Sequence, residues 1–431
     1  MTKKSRYLLL LAGFIAFLIA APLMVLYVQG ISVDFTNRSF IQTGILTAKT
    51  EPKDAEIYLN GELARKSNGS IRFLMPSEYK VEIKKEGYLT WAKRLKIQSA
   101  EVTAANPPFN NIYLFYQDPK VKTIESRVVD FYHGQNALGF LTQNDFVVIP
   151  ADGDTVRTDN RHVLPKMVNK ILAVDADENN FLLGDGVRTM LVFNADSEEF
   201  YDISSIVNNE AKMQLASSGK LYAQFKDVLY EINPQSKTIK PILSSVKAFF
   251  LLENDLYYIK EDAQSGLTLF VTPSPFSQNQ TLINDIPQFS QGQLFVTFEK
   301  QIFLLGDGSL YRISMDSKKI QSNVSDFSFD AANSTLAVLS AGEFDYISGM
   351  DKNLNVVTRS AETIKNLSIS HHAYYGFYLK NGSVTAVELD TRDTQNTYTL
   401  YSGQAEKFSV DDEAKNIWVL DGGELKLIAI R

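Results

Sequence analysis

Hydrophobic and polar residues follow three different patterns along the chain, and each pattern predicts a different structure. Residues 7–28 form a run without a charged residue, which is typical of a membrane-spanning helix. From Gly44 onward the pattern changes to short alternating runs separated by turn residues, which is the period of half-buried strands. After Pro119 no amphipathic stretch is longer than about two helical turns. We therefore predict an all-β protein that follows one N-terminal helix.

The apolar run 7–28 predicts the location of the protein. At a rise of about 1.5 Å per residue its length is about 33 Å, which is enough to cross a hydrocarbon core of about 30 Å. Residues 1–6 carry three basic side chains and no acidic one. Because basic residues stay on the cytoplasmic side, we predict a single-pass protein of the cell membrane. Residues 1–6 are then a cytoplasmic tail, 7–28 contacts the lipid bilayer, and all later domains are extracytoplasmic.

A cleaved signal peptide is the alternative interpretation of this segment. Ala20 and Ala21 offer the small residues that a cleavage site needs, but Pro22 follows and the apolar run continues to Val28. The apolar region of a secretory signal is about 7–15 residues long, which is shorter than this run. The pattern favours an uncleaved signal anchor, and cleavage stays open.

After a linker at 29–43, residues 44–118 predict a small β domain that resembles a known family. The stretches ILTAKTEPKDAEIYLNG and PSEYKVEIKKEGYLTW are similar to a PEGA domain, a β-sandwich module of prokaryotic surface proteins. The matching features are the turn from Pro52 to Ala55, the Asn60-Gly61 turn and the Lys85-x-Gly-Tyr ending. The chain departs from the family pattern at Lys53-Asp54 and at Ser77. The resemblance implies an interaction or spacer module and brings no catalytic residue with it.

Trp91 has two interpretations within this domain. Its position near the end of the PEGA-like pattern predicts a ring that packs on the sheet. The alternative is an exposed aromatic platform on which a sugar ring stacks.

The region 119–431 repeats with a period of about 40 residues, and a four-stranded β-blade needs about 40–50. An aromatic or aliphatic strand start recurs near eight positions: Phe131, Val174, Leu215, Phe250, Phe289, Phe327, Ile369 and Phe408. This period predicts a β-propeller, with eight blades favoured and seven as the next choice. Too few residues follow Phe408 for four strands, so we predict that residues 112–124 supply the missing strand and close the ring.

Glycine-containing turns fit this prediction better than they fit a phosphate site. Gly184-Asp185-Gly186, Gly306-Asp307-Gly308, Asn381-Gly382 and Asp421-Gly422-Gly423 each precede an alternating run that predicts a strand. A phosphate cradle would need a following helix whose N-terminus faces the phosphate. These turns are therefore predicted to be β-hairpins. No Trp-Asp dipeptide occurs, so the pattern names no propeller subclass.

Composition removes several classes of function. The chain has 431 residues and no cysteine, which excludes disulfides, thiolate metal sites and cysteine nucleophiles. Basic residues number 43 against 50 acidic ones, and without the three basic residues of the tail the balance is 40 against 50. Because a nucleic-acid binder normally presents a basic face, we predict no nucleic-acid partner. We also predict no cofactor.

The few candidates for catalytic or metal-binding chemistry are weak. The four histidines (His133, His162, His371 and His372) form no metal-binding or hydrolase motif, and adjacent residues of a strand face opposite sides. Ser217 and Lys220 match Ser-x-x-Lys, but the companion motifs of the acyl-transfer enzymes are missing.

Two acidic stretches have the alternating spacing of calcium ligands. Asp175, Asp177 and Asn179 share that spacing, yet Asn180 and Gly186 replace the glycine and the glutamate that a calcium loop needs. Asp152-Gly153-Asp154 is weaker still. Solvated turns are favoured, so we predict no catalytic, cofactor-binding or metal-binding residue, and the ligand-binding residues are unknown.

We conclude from the sequence that the protein is a non-catalytic binding or scaffolding protein of the cell envelope, whose partner is an envelope protein or a cell-wall glycan. Rigid blades that hold variable loops suit such a role. The alternative is an exported glycan hydrolase or lyase with carboxylates at the propeller axis. A sensor that signals inward is a third hypothesis, but its short tail would require a partner helix.

Overall fold

The computed structural model describes residues 3–34, 39–106, 111–153, 155–207, 210–262, 266–273, 279–315, 317–330, 334–348 and 354–431. The chain divides into two compact units. The first unit comprises residues 1–118 with the segment 388–398 and Arg431, and the second comprises 119–387 with 399–430.

The single α-helix of the described residues, α1, runs over Lys3–Val28. In this part of the chain no helix combines the length and the apolar character that a bilayer crossing requires. The membrane span at 7–28 stays a prediction from the sequence.

The first unit is a small β-sandwich after a two-stranded ribbon. Its strands are β1 (Ile31–Asp34), β2 (Ser39–Gln42), β3 (Gly44–Ala48), β4 (Thr50–Glu51), β5 (Glu56–Leu59), β6 (Glu62–Lys66), β7 (Gly69–Leu74), β8 (Ser77–Lys84), β9 (Trp91–Ile97), β10 (Val102–Ala104) and β11 (Ile112–Tyr113). Sheets with the strand orders β10-β3-β7 and β6-β5-β8-β9 share one apolar core. Alternation along β9 buries every second side chain, including Trp91, which is fully buried. The ring therefore packs in the core, and the exposed sugar platform is wrong.

A segment from late in the sequence completes the first unit. Residues 388–398 group with this unit, and several of them bond to β9. The indole Nε1 of Trp91 donates to Glu388 at 2.8 Å, and the backbone N–H of Arg94 donates to Asp393 at 2.7 Å. The Lys93 Nζ lies 3.0 Å from a Glu388 carboxylate oxygen and 3.5 Å from an Asp390 one.

Among its described residues the second unit forms eight consecutive four-stranded antiparallel sheets, which we number as blades 1 to 8 from the chain start. Before them comes β12 (Lys120–Ser126). Blade 1 contains β13 (Val128–His133), β14 (Ala137–Thr142), β15 (Asp145–Pro150) and β16 (Arg161–Val163), with a 3-10 turn at Thr158–Asn160. Blade 2 contains β17 (Lys170–Val174), β18 (Asn180–Gly184), β19 (Met190–Asn194) and β20 (Glu199–Asp202). Blade 3 contains β21 (Lys212–Leu215), β22 (Leu221–Phe225), β23 (Val228–Asn233) and β24 (Thr238–Ser244).

The next three blades repeat this arrangement. Blade 4 contains β25 (Val246–Leu252), β26 (Asp255–Asp262), β27 (Gly266–Pro273) and β28 (Gln280–Ile283). Blade 5 contains β29 (Gly292–Val296), β30 (Ile302–Gly306), β31 (Ser309–Ile313) and β32 (Lys318–Gln321). Blade 6 contains β33 (Val324–Asp330), β34 (Thr335–Ser340), β35 (Glu343–Ser348) and β36 (Asn355–Arg359).

The last two blades complete the unit. Blade 7 contains β37 (Ile364–Ser370), β38 (Tyr375–Lys380), β39 (Ser383–Glu388) and β40 (Thr397–Tyr401). Blade 8 contains β41 (Ala405–Val410), β42 (Asn416–Asp421) and β43 (Glu424–Ala429), and its fourth strand is β12.

Side chains between neighbouring blades pack the unit into a ring. Phe146 of blade 1 contacts Phe181 and Phe193 of blade 2, with ring centroids 5.2 and 5.1 Å apart. Further apolar clusters join blades 2 and 3, 3 and 4, 4 and 5, and 5 and 6. Phe344 of blade 6 contacts Tyr378 of blade 7, and Ser370 of blade 7 donates to a backbone carbonyl of blade 8. Blade 8 returns to blade 1, because Trp418 packs with Phe131 in one core cluster. The blades are separate sheets, so the ring closes by packing rather than through one continuous sheet.

The strand that completes blade 8 lies close to the predicted segment 112–124, but its residues differ. β12 pairs antiparallel with β43, and Lys122 lies opposite Leu427. The strand therefore covers 120–126, whereas Ile112–Tyr113 pairs with β4 in the first unit. Of the eight predicted strand starts, seven lie on the first strand of a blade, and Phe289 lies just before β29.

Candidate functional site

Each blade is an antiparallel meander, so its connections alternate between the two ends of the ring. The connections between strands 1 and 2 and between strands 3 and 4 leave from the same end, which we call the loop face. The connections between strands 2 and 3 lie at the other end and include the predicted hairpins at Gly306–Gly308, Asn381-Gly382 and Gly422-Gly423. Asn381 and Gly382 have φ values of 50° and 76°, which an Asn-Gly turn tolerates.

A polar cleft opens on the loop face between blades 2 and 3. Its volume is about 240 Å³, and it lies between the 1–2 and 3–4 connections of the two blades. Amide and hydroxyl side chains dominate its lining, which we call the amide cleft: Asn179, Asn180, Asn194, Tyr201, Ser217, Ser218, Asn233 and Gln235. Val192 and Pro234 add an apolar surface, and Asp196 and Lys220 add one charge of each sign.

A buried hydrogen-bond chain forms the floor of the amide cleft. The side-chain amide of Asn194 donates to the Asn180 oxygen at 2.8 Å, and the Asn180 amide donates to Asp175 at 2.8 Å. Asn180 and Asp175 are both about 3% exposed. Because each buried polar group has a partner, the chain holds Asn194 in a defined orientation at low cost.

The same contacts explain the calcium-like spacing around Asp175. Its carboxylate accepts the backbone N–H groups of Asn179 and Asn180, both at 2.9 Å, and burial raises its pKa. Asp411 in blade 8 does the same for Lys415 and Asn416, at 2.7 and 2.9 Å. The spacing therefore closes the 1–2 turn in two blades, although Asp175 is buried and the sequence predicted a solvated turn. Asp154 of the second acidic stretch lies outside the described residues.

Ser217 and Lys220 lie in the 1–2 turn of blade 3. Gly219 has a φ of 75° and its N–H donates to the Ala216 carbonyl at 2.8 Å, which makes the segment a tight turn. The Lys220 Nζ pairs with Glu231 at 3.1 Å. The lysine is held by a carboxylate, an arrangement different from a free amine poised beside a serine nucleophile.

Glu178 uses its carboxylate to support the neighbouring blade. It accepts the backbone N–H groups of Gln135, Asn136 and Ala137 at 2.7, 2.8 and 2.7 Å. The side chain is buried, and three donors aimed at one carboxylate form a backbone anion nest. The sequence offered no signal for this role, because the three donors are main-chain groups of another repeat.

A second cavity on the loop face gathers carboxylates from blades 6 and 8. Its volume is about 190 Å³, and Asp330, Asp411, Asp412, His371 and His372 contribute to its lining. Burial raises the pKa of Asp412, and the charges of Asp330 and Asp411 raise it further. We call this the acidic cavity. The two histidines both reach it because they lie in a turn rather than in an extended strand.

The other two histidines pack against aromatic rings. His133 stacks on Trp418 with ring centroids 3.7 Å apart, and burial lowers its pKa to about 4. His162 lies 4.7 Å from the Phe193 ring. Both rings are therefore held by packing against aromatic neighbours.

Comparison with known proteins supports the two units separately. Residues 43–112 match the family model described as the PEGA domain, which confirms the resemblance in the first unit. The C-terminal WD40 domain of Sif2 is similar in structure, with a TM-score of 0.51, 13% identity, and coverage of 72% of this chain and 98% of that one. BamB from Moraxella catarrhalis gives a TM-score of 0.47 and 8% identity, covering 73% and 99%. No curated protein matches.

At 13% identity the likeness to the WD40 domain shows the fold alone, which is that of a β-propeller. The predicted all-β fold with a PEGA domain and a propeller is thus confirmed at this level. Sequence reasoning missed the amide cleft, although one signal was present. Asn194 and Asn233 each precede a serine by three residues, and each accepts that serine's N–H, at 2.8 and 3.1 Å. This repeated Asn-x-x-Ser marks the 3–4 turns that form one wall of the cleft.

Proposed function

We propose that the protein is a non-catalytic binding or scaffolding protein of the cell envelope, anchored by residues 7–28 and displayed outside the membrane. The amide cleft is the observation that carries the proposal. Its lining offers donors and acceptors on the frame of two blades, while the nearby carboxylates of Asp175 and Glu178 accept backbone N–H groups. The β-propeller fold supports a protein-interaction or scaffolding role, since such rings present loops around a fixed rim.

Capture on envelope fractions tests this proposal. The full chain, reconstituted in phosphatidylcholine nanodiscs, is incubated with separated protein and glycan fractions of the envelope. We expect retention on one fraction, and we expect a Ser217→Tyr variant, which fills the cleft, to be retained less. A Gln280→Ala variant, altered at an exposed residue of blade 4, is the matched control. Equal retention of all three proteins, or no retention, would contradict the proposal.

Protease accessibility tests the proposed topology. Protease added to intact cells should digest the chain after residue 29 and leave a small membrane-embedded fragment, since the positive residues are expected to remain inside. Cells opened before digestion provide the control. Full protection of the chain in intact cells would place the domains on the other side.

The acidic cavity favours one alternative function, an exported glycan hydrolase or lyase. Glycosidases use a pair of carboxyl groups, one of which is held protonated as the acid. Asp412, whose pKa is raised by burial and by neighbouring carboxylates, has the character of that acid. Release of soluble sugar fragments by the protein, abolished in an Asp412→Asn variant, would support the enzyme in place of the scaffold.

A further inference from the structure

We propose that the amide cleft between blades 2 and 3 binds a neutral sugar unit of a glycan. The inference rests on the proposed binding function and names the ligand class of that site. Amide and hydroxyl groups recognise sugar hydroxyls because each can donate and accept hydrogen bonds, as a sugar hydroxyl does.

Several lining groups have capacity left for a ligand. The side chains of Asn179, Ser217 and Ser218 have no hydrogen-bond partner among the described residues. Asn233 uses its side-chain oxygen to accept the Ser236 N–H at 3.1 Å, which leaves its amide N–H₂ for a ligand. These groups come from both blades, so a ligand in the cleft would contact both walls.

An apolar surface accompanies the polar groups. Tyr201 lies in the wall of the cleft, with its hydroxyl donating to Glu199 at 2.7 Å and accepting from the Gln235 amide at 3.4 Å. The hydroxyl is thus held by its neighbours, and the half-buried ring packs against the core cluster that contains Val192, so the ring itself supplies the apolar surface. A sugar ring presents C–H groups on one face and hydroxyls at its edge, which matches this combination of surfaces.

Charge and size narrow the ligand class further. The charges of the lining are Asp196 and Lys220, and Lys220 is already paired with Glu231. A polyanion would find no unpaired cation there, so the chemistry favours a neutral ligand. The volume of about 240 Å³ lies below the range of about 300–1,000 Å³ for drug-sized ligands, so the cleft suits one small unit of a polymer.

Titration with neutral trisaccharides tests the inference. The full chain in phosphatidylcholine nanodiscs is titrated with chitotriose, maltotriose and cellotriose up to about 10 mM, the range of weak single-site binding. Saturation-transfer NMR reports which sugar protons contact the protein. We expect at least one trisaccharide to bind, and a Ser217→Ala/Gln235→Ala variant to weaken it by about tenfold, since two exposed hydrogen-bonding side chains are removed without touching the buried floor. The Gln280→Ala variant should bind as the unaltered protein does.

Four outcomes would overturn the inference. Failure of all three sugars to bind would overturn it, and so would binding that the Ser217/Gln235 variant leaves unchanged. A third outcome is that no substitution in the cleft weakens sugar binding, whereas Ser217→Tyr abolishes the retention of an envelope protein. The ligand of the cleft would then be a peptide, and the proposed binding function would remain intact. Loss of both sugar binding and envelope retention would reject both.

Discussion

The two units each bury a full charge, and they stabilise it in different ways. In the first unit, Lys93 is about 2% exposed and lies between the carboxylates of Glu388 and Asp390. In blade 2, Glu178 is about 7% exposed and accepts three backbone N–H groups. Lys93 is stabilised by side chains of opposite charge, whereas Glu178 is stabilised by the backbone of a turn alone. A buried charge is therefore tolerated wherever its hydrogen bonds are complete, whatever their source.

Asp345 in blade 6 is a third buried acidic or basic residue, and it is held neither between side chains of opposite charge nor by a set of backbone N–H groups. It is about 1% exposed, and the Gln321 amide donates to it at 2.9 Å. Burial, with the nearby charge of Glu343, raises the pKa of Asp345 to about 7. The carboxyl group of Asp345 is thus largely protonated below about pH 7.

The largest effect is expected from removing the buried cation. Lys93→Met leaves Glu388 buried without its counter-charge, while Asp390 keeps its ion pair with Arg392, so we expect the free energy of unfolding of the first unit to fall by about 3–5 kcal/mol. Chemical denaturation followed by the fluorescence of Trp91 measures the loss. Lys80→Met is the control, since Lys80 is 55% exposed and pairs with Glu82, and its loss should stay within about 1 kcal/mol. If the two substitutions lowered the free energy of unfolding equally, burial of the ion pair would not explain the effect of Lys93.

A smaller loss is expected from the backbone-stabilised charge. Glu178→Gln keeps the shape but removes the charge and one of the two acceptor oxygens, so we expect a loss of about 2 kcal/mol in the propeller. Hydrogen exchange at Gln135, Asn136 and Ala137 reports the weakened bonds directly. Glu198→Gln, at an exposed position of the same blade, should leave both stability and exchange unchanged. Unaltered exchange in Glu178→Gln would show that the turn does not depend on the carboxylate.

The smallest effect is expected from Asp345, and it depends on pH. Its folded pKa of about 7 lies above the unfolded value, so its contribution to stability is complete below about pH 4 and is lost as the pH rises through 7. Asp345→Asn removes this titration while keeping an acceptor for Gln321. We expect the difference in melting temperature, variant minus unaltered protein, to increase from pH 5 to pH 8 by a few degrees. A difference that stays constant with pH would mean that Asp345 does not carry the shift.

Much of the fold follows from local pattern. The period of about 40 residues, the alternating runs and the Asn-Gly and Asp-Gly turns predicted a propeller of four-stranded blades and their hairpins, with eight blades favoured over seven, because each blade is built from neighbouring segments of the chain. The PEGA turns and the packing of Trp91 were predicted for the same reason. The closing strand was expected near its observed place, since an incomplete last repeat leaves an open edge.

The candidate site was predicted less well, because its parts come from different repeats. Asn194 and Asn233 occupy equivalent turns of blades 2 and 3, and only the packing of one blade on the next places them around one cleft. Asp175 and Asn180 have the same spacing as Asp411 and Asn416, and both pairs lie in the turn between strands 1 and 2 of their blades. That the aspartate accepts hydrogen bonds from this turn was visible only once the structure was known.

The order of helix, small β domain and repeating blades follows from local sequence pattern, because strand periodicity and turn residues act over a few neighbouring positions. The tertiary structure decided that residues 388–398 bond to β9, almost three hundred residues earlier in the chain, and that Glu178 holds a turn of another blade. Such contacts depend on which surfaces meet when the units fold. Local residue spacing does not predict such contacts, since a lysine and a carboxylate attract each other when they are close in space, however far apart they are in the sequence.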